Sequence, residues 1–437
     1  MDPADRSALF ADTAWGATLD KNPQAGPSQP LIPRRLGLFL VAMALIEATY
    51  AMTSVQIPIF LRWLGADVAQ VGLYFSLSAI VPLVLLVLGG WLSDSLGRLK
   101  AYALGSLAGV LAYAFFAVAR SWEMALAGPA FVAIAAALIR PSTRAYLADN
   151  TRPERRGRVF GTAETIANVT WIFGGPLGGL LAQTLGFAWL FAASGLAYAL
   201  AAGVVLILAR SERQASETHR ERPSLASLRI SLLEMGALIL SGGLMTWLLI
   251  TDGVRDIAVD MSFNLMPVYL SDVWGFTRQQ IGLLDGVFGL VLVAASYPGG
   301  WLADKASERV ALVSGLIAVL ASRLSFILAT GFWGFAFSWS LLAISVALIN
   351  PAMQSLISKG VPARLRGISY GLLATSWGLL SLPSPWIGGL LWTHFGPQAP
   401  FLATVALASL ALLPAWRKLV VPKEVTEQPE ATPHPLA

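Results

Sequence analysis

The chain has 437 residues, 56% of them hydrophobic and 13% charged, where a soluble domain carries about 25% charged residues. A water-soluble core cannot bury so much apolar surface, so the surrounding solvent must be largely lipid. The net charge of +5 does not indicate nucleic-acid binding, because Lys and Arg lie in short clusters between apolar runs, and the absence of cysteine excludes disulfides, thiol catalysis and thiolate metal sites.

Residues 1–35 are polar and rich in Pro and Gly, and read as a disordered arm without a cleavable signal peptide. A membrane helix needs about 20 mostly apolar residues. Twelve such spans follow: 36–60, 70–93, 101–120, 124–148, 158–181, 188–209, 240–270, 279–303, 310–330, 333–357, 369–392 and 399–416. The pattern predicts an all-α polytopic membrane protein, with one six-helix bundle over 36–209 and a second over 240–416. Between them, 210–239 reads as a charged loop with an interfacial segment, and 417–437 as a disordered tail. The three histidines, His219, His394 and His434, fall in predicted loops or the tail, and no metal cluster, cofactor loop or nucleophile–base pair is visible. An enzyme is therefore not expected.

Lys and Arg gather in the connections after even-numbered spans, at Arg98 and Lys100, Arg152 to Arg158, Arg210 to Arg229, Lys305 and Arg309, and Lys359 to Arg366. The opposite connections hold only Arg62, Arg120 and Arg278. The positive-inside rule then puts both termini in the cytoplasm of a cell with an inner (plasma) membrane.

The two sets of six spans resemble each other at an offset of 210 residues. Gly90-Trp91-Leu92-Ser93-Asp94 matches Gly300-Trp301-Leu302-Ala303-Asp304, and Ala137 to Pro141 matches Ala347 to Pro351. Gly178-Gly179-Leu180-Leu181 matches Gly388-Gly389-Leu390-Leu391. In the first and seventh spans a one-residue slip pairs Met52 with Met261, Pro58 with Pro267 and Glu47 with Asp256. Duplicated bundles that rock about a midplane site are a transporter architecture.

Between the second and third spans runs Gly90-x-x-x-Asp94-x-x-Gly97-Arg98-x-Lys100. It resembles the signature loop of the major facilitator superfamily, with Ser95 where a base is usual and the second base displaced to Lys100. The resemblance implies a pseudo-symmetric twelve-helix fold that acts by alternating access. It also implies a cytoplasmic gate of Gly90, Asp94, Gly97 and Arg98. Asp94 would cap the eleventh span, where a helix N-terminus favours an anion, and Arg98 would pair with Asp149. The second copy, Asp304-Lys305 with Arg309, lacks the Gly-Arg pair and looks degenerate. Gly174-Gly175-Pro176-Leu177-Gly178-Gly179 in the fifth span resembles the helix-5 motif of the family's antiporter branch, with Gly175, Pro176 and Gly179 at its core.

An ionisable residue at the bilayer centre costs roughly 2.5–3.5 kcal/mol on insertion scales, so each needs a partner, water or a task. In this superfamily the first, fourth, seventh and tenth helices line the central cavity. Glu47, Arg140, Asp256 and Asn350 fall on those four spans at similar depth, with Arg144 and Gln354 one turn nearer the loops. Burial disfavours a charged carboxylate, so Glu47 and Asp256 are the expected proton-coupling acids. Arg255 flanks Asp256; Asp252, Asp256 and Asp260 share one helical face. Buried salt bridges, Arg255 with Asp252 or Arg140 with Glu164, are the competing account. Tyr50, Gln56, Phe263, Asn264, Trp339, Gln354 and Trp377 are expected to complete the pocket, and Asp285 to face water near the outer end of the eighth span.

The expected activity is secondary transport of a small organic solute by a monomer in the bilayer, coupled to protons and directed outward. A proton-coupled importer of a polar metabolite, a sensor and a lipid translocator on the same fold are the alternatives.

Overall fold

A computed structural model describes residues 33–85, 97–211, 242–360 and 378–419. The described residues form helices joined by short turns: α1 Arg34–Thr53, α2 Val68–Ser78, α3 Arg98–Val118, α4 Ala127–Asp149, α5 Arg156–Thr184 and α6 Phe187–Ser211, then α7 Leu244–Phe263, α8 Arg278–Lys305, α9 Glu308–Leu328, α10 Gly331–Gly360, α11 Ser384–Phe395 and α12 Ala399–Lys418. Helical segments thus stand at all twelve predicted positions. Ten are long and apolar enough to cross a membrane, with α2 running on to Leu85. Helix α7 carries four charges, and part of the eleventh span lies outside the described residues.

One feature was not foreseen. The first and seventh spans are each broken: α1 stops at Thr53 and resumes as Gln56–Trp63, and α7 stops at Phe263 and resumes as Met266–Asp272. Contacts follow the slip as far as the break. Gly178 meets the backbone of Met52, and Gly388 meets that of Met261. Thr53 Oγ1 lies 3.0 Å from the Tyr113 hydroxyl, and at the matching place Arg323 Nε donates to Ser262 Oγ at 3.1 Å. By the turn that follows the short helix the offset is 210. Gly65 and Gly275 both turn at positive φ, which glycine adopts without steric cost. Two residues on, Asp67 with Gln70 and Thr277 with Gln280 form matching capping boxes that satisfy the first N–H groups of α2 and α8. The second half therefore holds one extra residue between Ser262 and Gly275, and by the contacts before it Glu47 corresponds to Asp256.

The two sets of six helices meet through α5 against α8 and α2 against α11. Small residues let backbones approach closely there. A Cβ on Gly282 would sit 2.2 Å from the Gly175 carbonyl oxygen, and one on Gly72 would sit 2.2 Å from that of Pro385. These contacts close the end of the molecule that carries the two helix breaks. At the opposite, arginine-rich end a Cβ on Gly157, Gly161 or Gly300 would meet nothing within 4 Å among the described residues.

Candidate functional site

Polar bonds reinforce the closed end. Arg62 Nε donates to Asp272 Oδ2 at 2.7 Å, joining the short helix after α1 to the one after α7. Gln56 Nε2 donates to the Arg278 carbonyl at 3.2 Å. The Arg278 guanidinium donates to the Ala182 carbonyl at 2.7 Å and lies 4.0 Å over the Phe187 ring. Gln56 is fully buried in this seal, which corrects its expected place in the pocket. The helix break turned its side chain across to the other half. Gly175, Pro176 and Gly179 form the inner face of α5 at its crossing with α8, against Asp285, Gly286 and the Arg278–Gln279 backbone respectively.

Below the seal the polar rows predicted on α4 and α10 stand open. Arg140, Arg144, Asn350 and Gln354 are exposed, as is Glu164 on α5. Arg140 also borders a cavity of about 410 Å³ between α2 and α4, whose walls are mostly apolar and include Tyr74, Phe75, Ser78, Pro82 and Pro141. Sequence reasoning missed these α2 residues, because hydropathy reports depth in the bilayer but not which face looks inward. Glu47 is half-buried and within electrostatic reach of Arg140 and Glu164. No Arg140–Glu164 ion pair forms among the described residues. Tyr50 is 47% exposed and packs edge-on against Trp171 with centroids 5.6 Å apart. Its phenol is in electrostatic reach of Arg140, Glu47 and Asp285. Asn264 caps α7 beside the exposed Phe263, whereas Trp339 is 4% exposed and belongs to the core, not to a pocket. Trp377 lies outside the described residues.

The second half treats its charges differently. Arg255 Nη2 contacts Asp252 Oδ1 at 2.9 Å and Asp256 Oδ1 at 2.5 Å. Arg255 and Asp252 line a small void with Leu312 of α9 and Ile349 and Met353 of α10. Arg255 therefore faces the interior of the second bundle, not the space between bundles. An unpaired charge there would be expensive, and the two carboxylates compensate it. Asp260 shares a hydrogen bond with Ser381. Arg323 is fully buried and held by the serine hydroxyls of Ser262 and Ser322. Asp285 does not face water: it is 5% exposed, packed into the α5–α8 crossing.

At the arginine-rich end Gly97 turns at φ 81° to start α3. Arg98 Nε donates to Asp149 Oδ2 at 2.9 Å. Gly90 and Asp94 of the signature loop lie outside the described residues, and Asp304 is exposed. The second half carries an ion pair of its own here. Glu308 opens α9, pairs with Lys359 in the last turn of α10, and accepts from Ser355 Oγ at 2.9 Å. Glu308 and Lys359 stand 210 residues after Arg98 and Asp149. The linear motif hid this pair because its charges are exchanged.

The family profile described as Major Facilitator Superfamily matches residues 38–254 and 248–436. Over 374 residues the chain is 25% identical to human solute carrier family 67 member A1, covering 83% of this chain and 87% of that protein. It is 26% identical over 170 residues to the quinolone resistance protein NorA of Staphylococcus aureus, covering 39% of this chain and 43% of NorA. Among solved structures, a POT family transporter in complex with 5-aminolevulinic acid superposes with a TM-score of 0.71 at 13% identity, covering 90% of this chain and 97% of that one. A D-xylose-proton symporter gives 0.65 at 13% identity, covering 89% and 97%. With a family profile that matches nearly the whole chain and described residues that fold into helices at all twelve expected positions, the chain belongs to the major facilitator superfamily of secondary transporters and is a multi-pass integral membrane protein.

Proposed function

We propose that the chain exports a small organic solute by alternating access in exchange for protons. It does so as a monomer in the inner membrane, with the arginine-rich end and both termini in the cytoplasm. The bundles 36–209 and 240–416 rock about the cleft, and the described conformation opens toward the cytoplasm. The signature loop with Gly90, Asp94 and Arg98 serves as the cytoplasmic gate.

The observation that carries this reading is Arg140. It is an exposed cation within a membrane helix, bordering an apolar cavity, with Glu47 in its field. Apolar walls with few placed polar groups suit an organic solute, and a cation beside an acid suits an amphipathic or zwitterionic one. A cationic group of the solute and a proton compete for Glu47, which makes exchange obligatory. Asp256 is the equivalent acid of the second half, but it shares Arg255 with Asp252, so Glu47 carries the larger part of the coupling. Asn350, Gln354, Arg144, Tyr50 and Asn264 complete the surface the solute meets. Similarity to a quinolone resistance protein over part of the chain supports the outward direction and suggests the probe.

The test is uptake of a fluorescent quinolone and other amphipathic organic cations into proteoliposomes with an imposed pH gradient. Wild type is expected to accumulate probe uphill. Glu47→Gln loses the gradient-driven component, and Asp256→Asn loses less of it. Uphill transport at the wild-type rate by both variants would overturn the coupling assignment.

A further inference from the structure

We propose that Asp285 is a proton-binding site within the seal between α5 and α8, and that the seal closes with Asp285 neutral and opens with it ionised. This rests on the alternating-access reading, but it assigns a different acid and a different task from Glu47.

Asp285 lies seven residues inside the start of α8, about 10 Å along the helix at 1.5 Å per residue. It interrupts a run of glycines, Gly282, Gly286 and Gly289, that brings α8 against α5. Its Oδ2 stands 2.8 Å from the point that a Cβ on Gly175 would occupy, so the carboxyl is pressed onto the α5 backbone. Oδ2 is fully buried and has no hydrogen-bond partner among the described residues. No ion pair reaches the side chain among those residues either. A serine or alanine would satisfy a helix crossing of this kind; a carboxyl needs a further reason.

The groups around it offer no counter-charge. The titratable side chain within its electrostatic reach is the Tyr50 phenol of α1. From α5 come Gly175, Pro176 and Gly179, while Glu164 lies further along that helix, in reach of Glu47. On the other elements packed against α8, Asp272 is taken by Arg62, Glu308 by Lys359, and Arg323 is held by Ser262. On α8 itself the Arg278 guanidinium is occupied by the Ala182 carbonyl and the Phe187 ring. The remaining charges of α5, α8, α9 and α10 sit at the arginine-rich end.

An ionised carboxylate removed from water without a partner is strongly disfavoured. In the closed seal the proton therefore stays on Asp285. When α5 parts from α8, water from the outer side reaches the carboxyl, and the ionised form becomes affordable. Closing again requires one proton from that side to add to a carboxylate oxygen. Closure of the seal and proton uptake are then one event.

The protein has no cysteine, so a single labelled pair reports the seal. Spin labels at Leu185→Cys and Val273→Cys, both on exposed residues at the closed end, give a short distance when it is closed and a longer one when it opens. In nanodiscs the parent is expected to gain the long distance as pH rises from about 5 to about 9, the open-to-closed ratio climbing up to about tenfold per pH unit, the slope of one linked proton. Asp285→Asn, nearly the same shape without the charge, is expected to hold the short distance throughout. Asp285→Ala, which removes the polar group, should respond as flatly. A parent without pH response, or an Asp285→Asn or Asp285→Ala protein with the parent's slope, overturns the proposal. A slope lost in Glu47→Gln but kept in Asp285→Asn would overturn it while leaving Glu47 as the coupling acid.

Discussion

The two bundles use one position in opposite ways. At the start of α3 and the end of α4 stand Arg98 and Asp149; at the start of α9 and the end of α10 stand Glu308 and Lys359. Both pairs tie neighbouring helices of one bundle at the arginine-rich end. A helix N-terminus favours an anion and a C-terminus a cation, each by about 0.3–1 kcal/mol. Glu308 and Lys359 have the favourable sign at both ends, and Glu308 is sheltered, with its side chain 12% exposed. Arg98 and Asp149 have the unfavourable sign at both ends, while in each pair one side chain is sheltered and the other, Asp149 or Lys359, is 53% exposed. The second bundle thus holds a structural clamp. The first holds a pair that opposes its own helices, which fits the gate proposed above.

Removing the sheltered acid should break the comparison most strongly. Glu308→Ala leaves Lys359 and Ser355 without their acceptor and is expected to cost about 2 kcal/mol, read as a lowered melting temperature in detergent. Exchanging the charges of that pair, with Glu308→Lys and Lys359→Glu together, keeps the ion pair but sets it against both helices. The expected loss is about 1–2 kcal/mol. A melting temperature equal to wild type would show that the helix ends play no part. The converse exchange, Arg98→Glu with Asp149→Lys, should stabilise the protein by about 1 kcal/mol and slow turnover, because the gate pair becomes a second clamp. Faster transport from that variant would contradict the assignment. The smallest effect is expected from Asp149→Ala alone, a change within about 0.5 kcal/mol that disappears in high salt.

Much of the fold was legible because the bilayer imposes a length on every span and the duplication supplies a second copy of each. The slip that pairs Glu47 with Asp256 was visible as well, since Met52 and Met261 occupy equivalent contacts in the two halves. Less was legible where side-chain direction decides. Asp285 lies at the depth expected, yet it turns toward α5 instead of water, because the glycines beside it allow the helices to touch. Gln56 follows a break that hydropathy cannot register, since the chain stays apolar through it. Glu308 and Lys359 escaped because a motif read along the chain requires the same charges, whereas the helix ends require only opposite ones. Among the predicted site residues, Arg140 and Glu47 come together in the first bundle. In the second, Arg255 pairs with both Asp252 and Asp256.

Proton movement during solute transport tests the account most directly. Proteoliposomes loaded with a pH-sensitive dye and the quinolone probe, with no gradient imposed, should acidify inside as the probe leaves through the wild-type protein. The same vesicles with Glu47→Gln should release probe without acidification. Probe efflux through wild type with no pH change, or acidification undiminished in Glu47→Gln, would contradict proton exchange at that carboxylate.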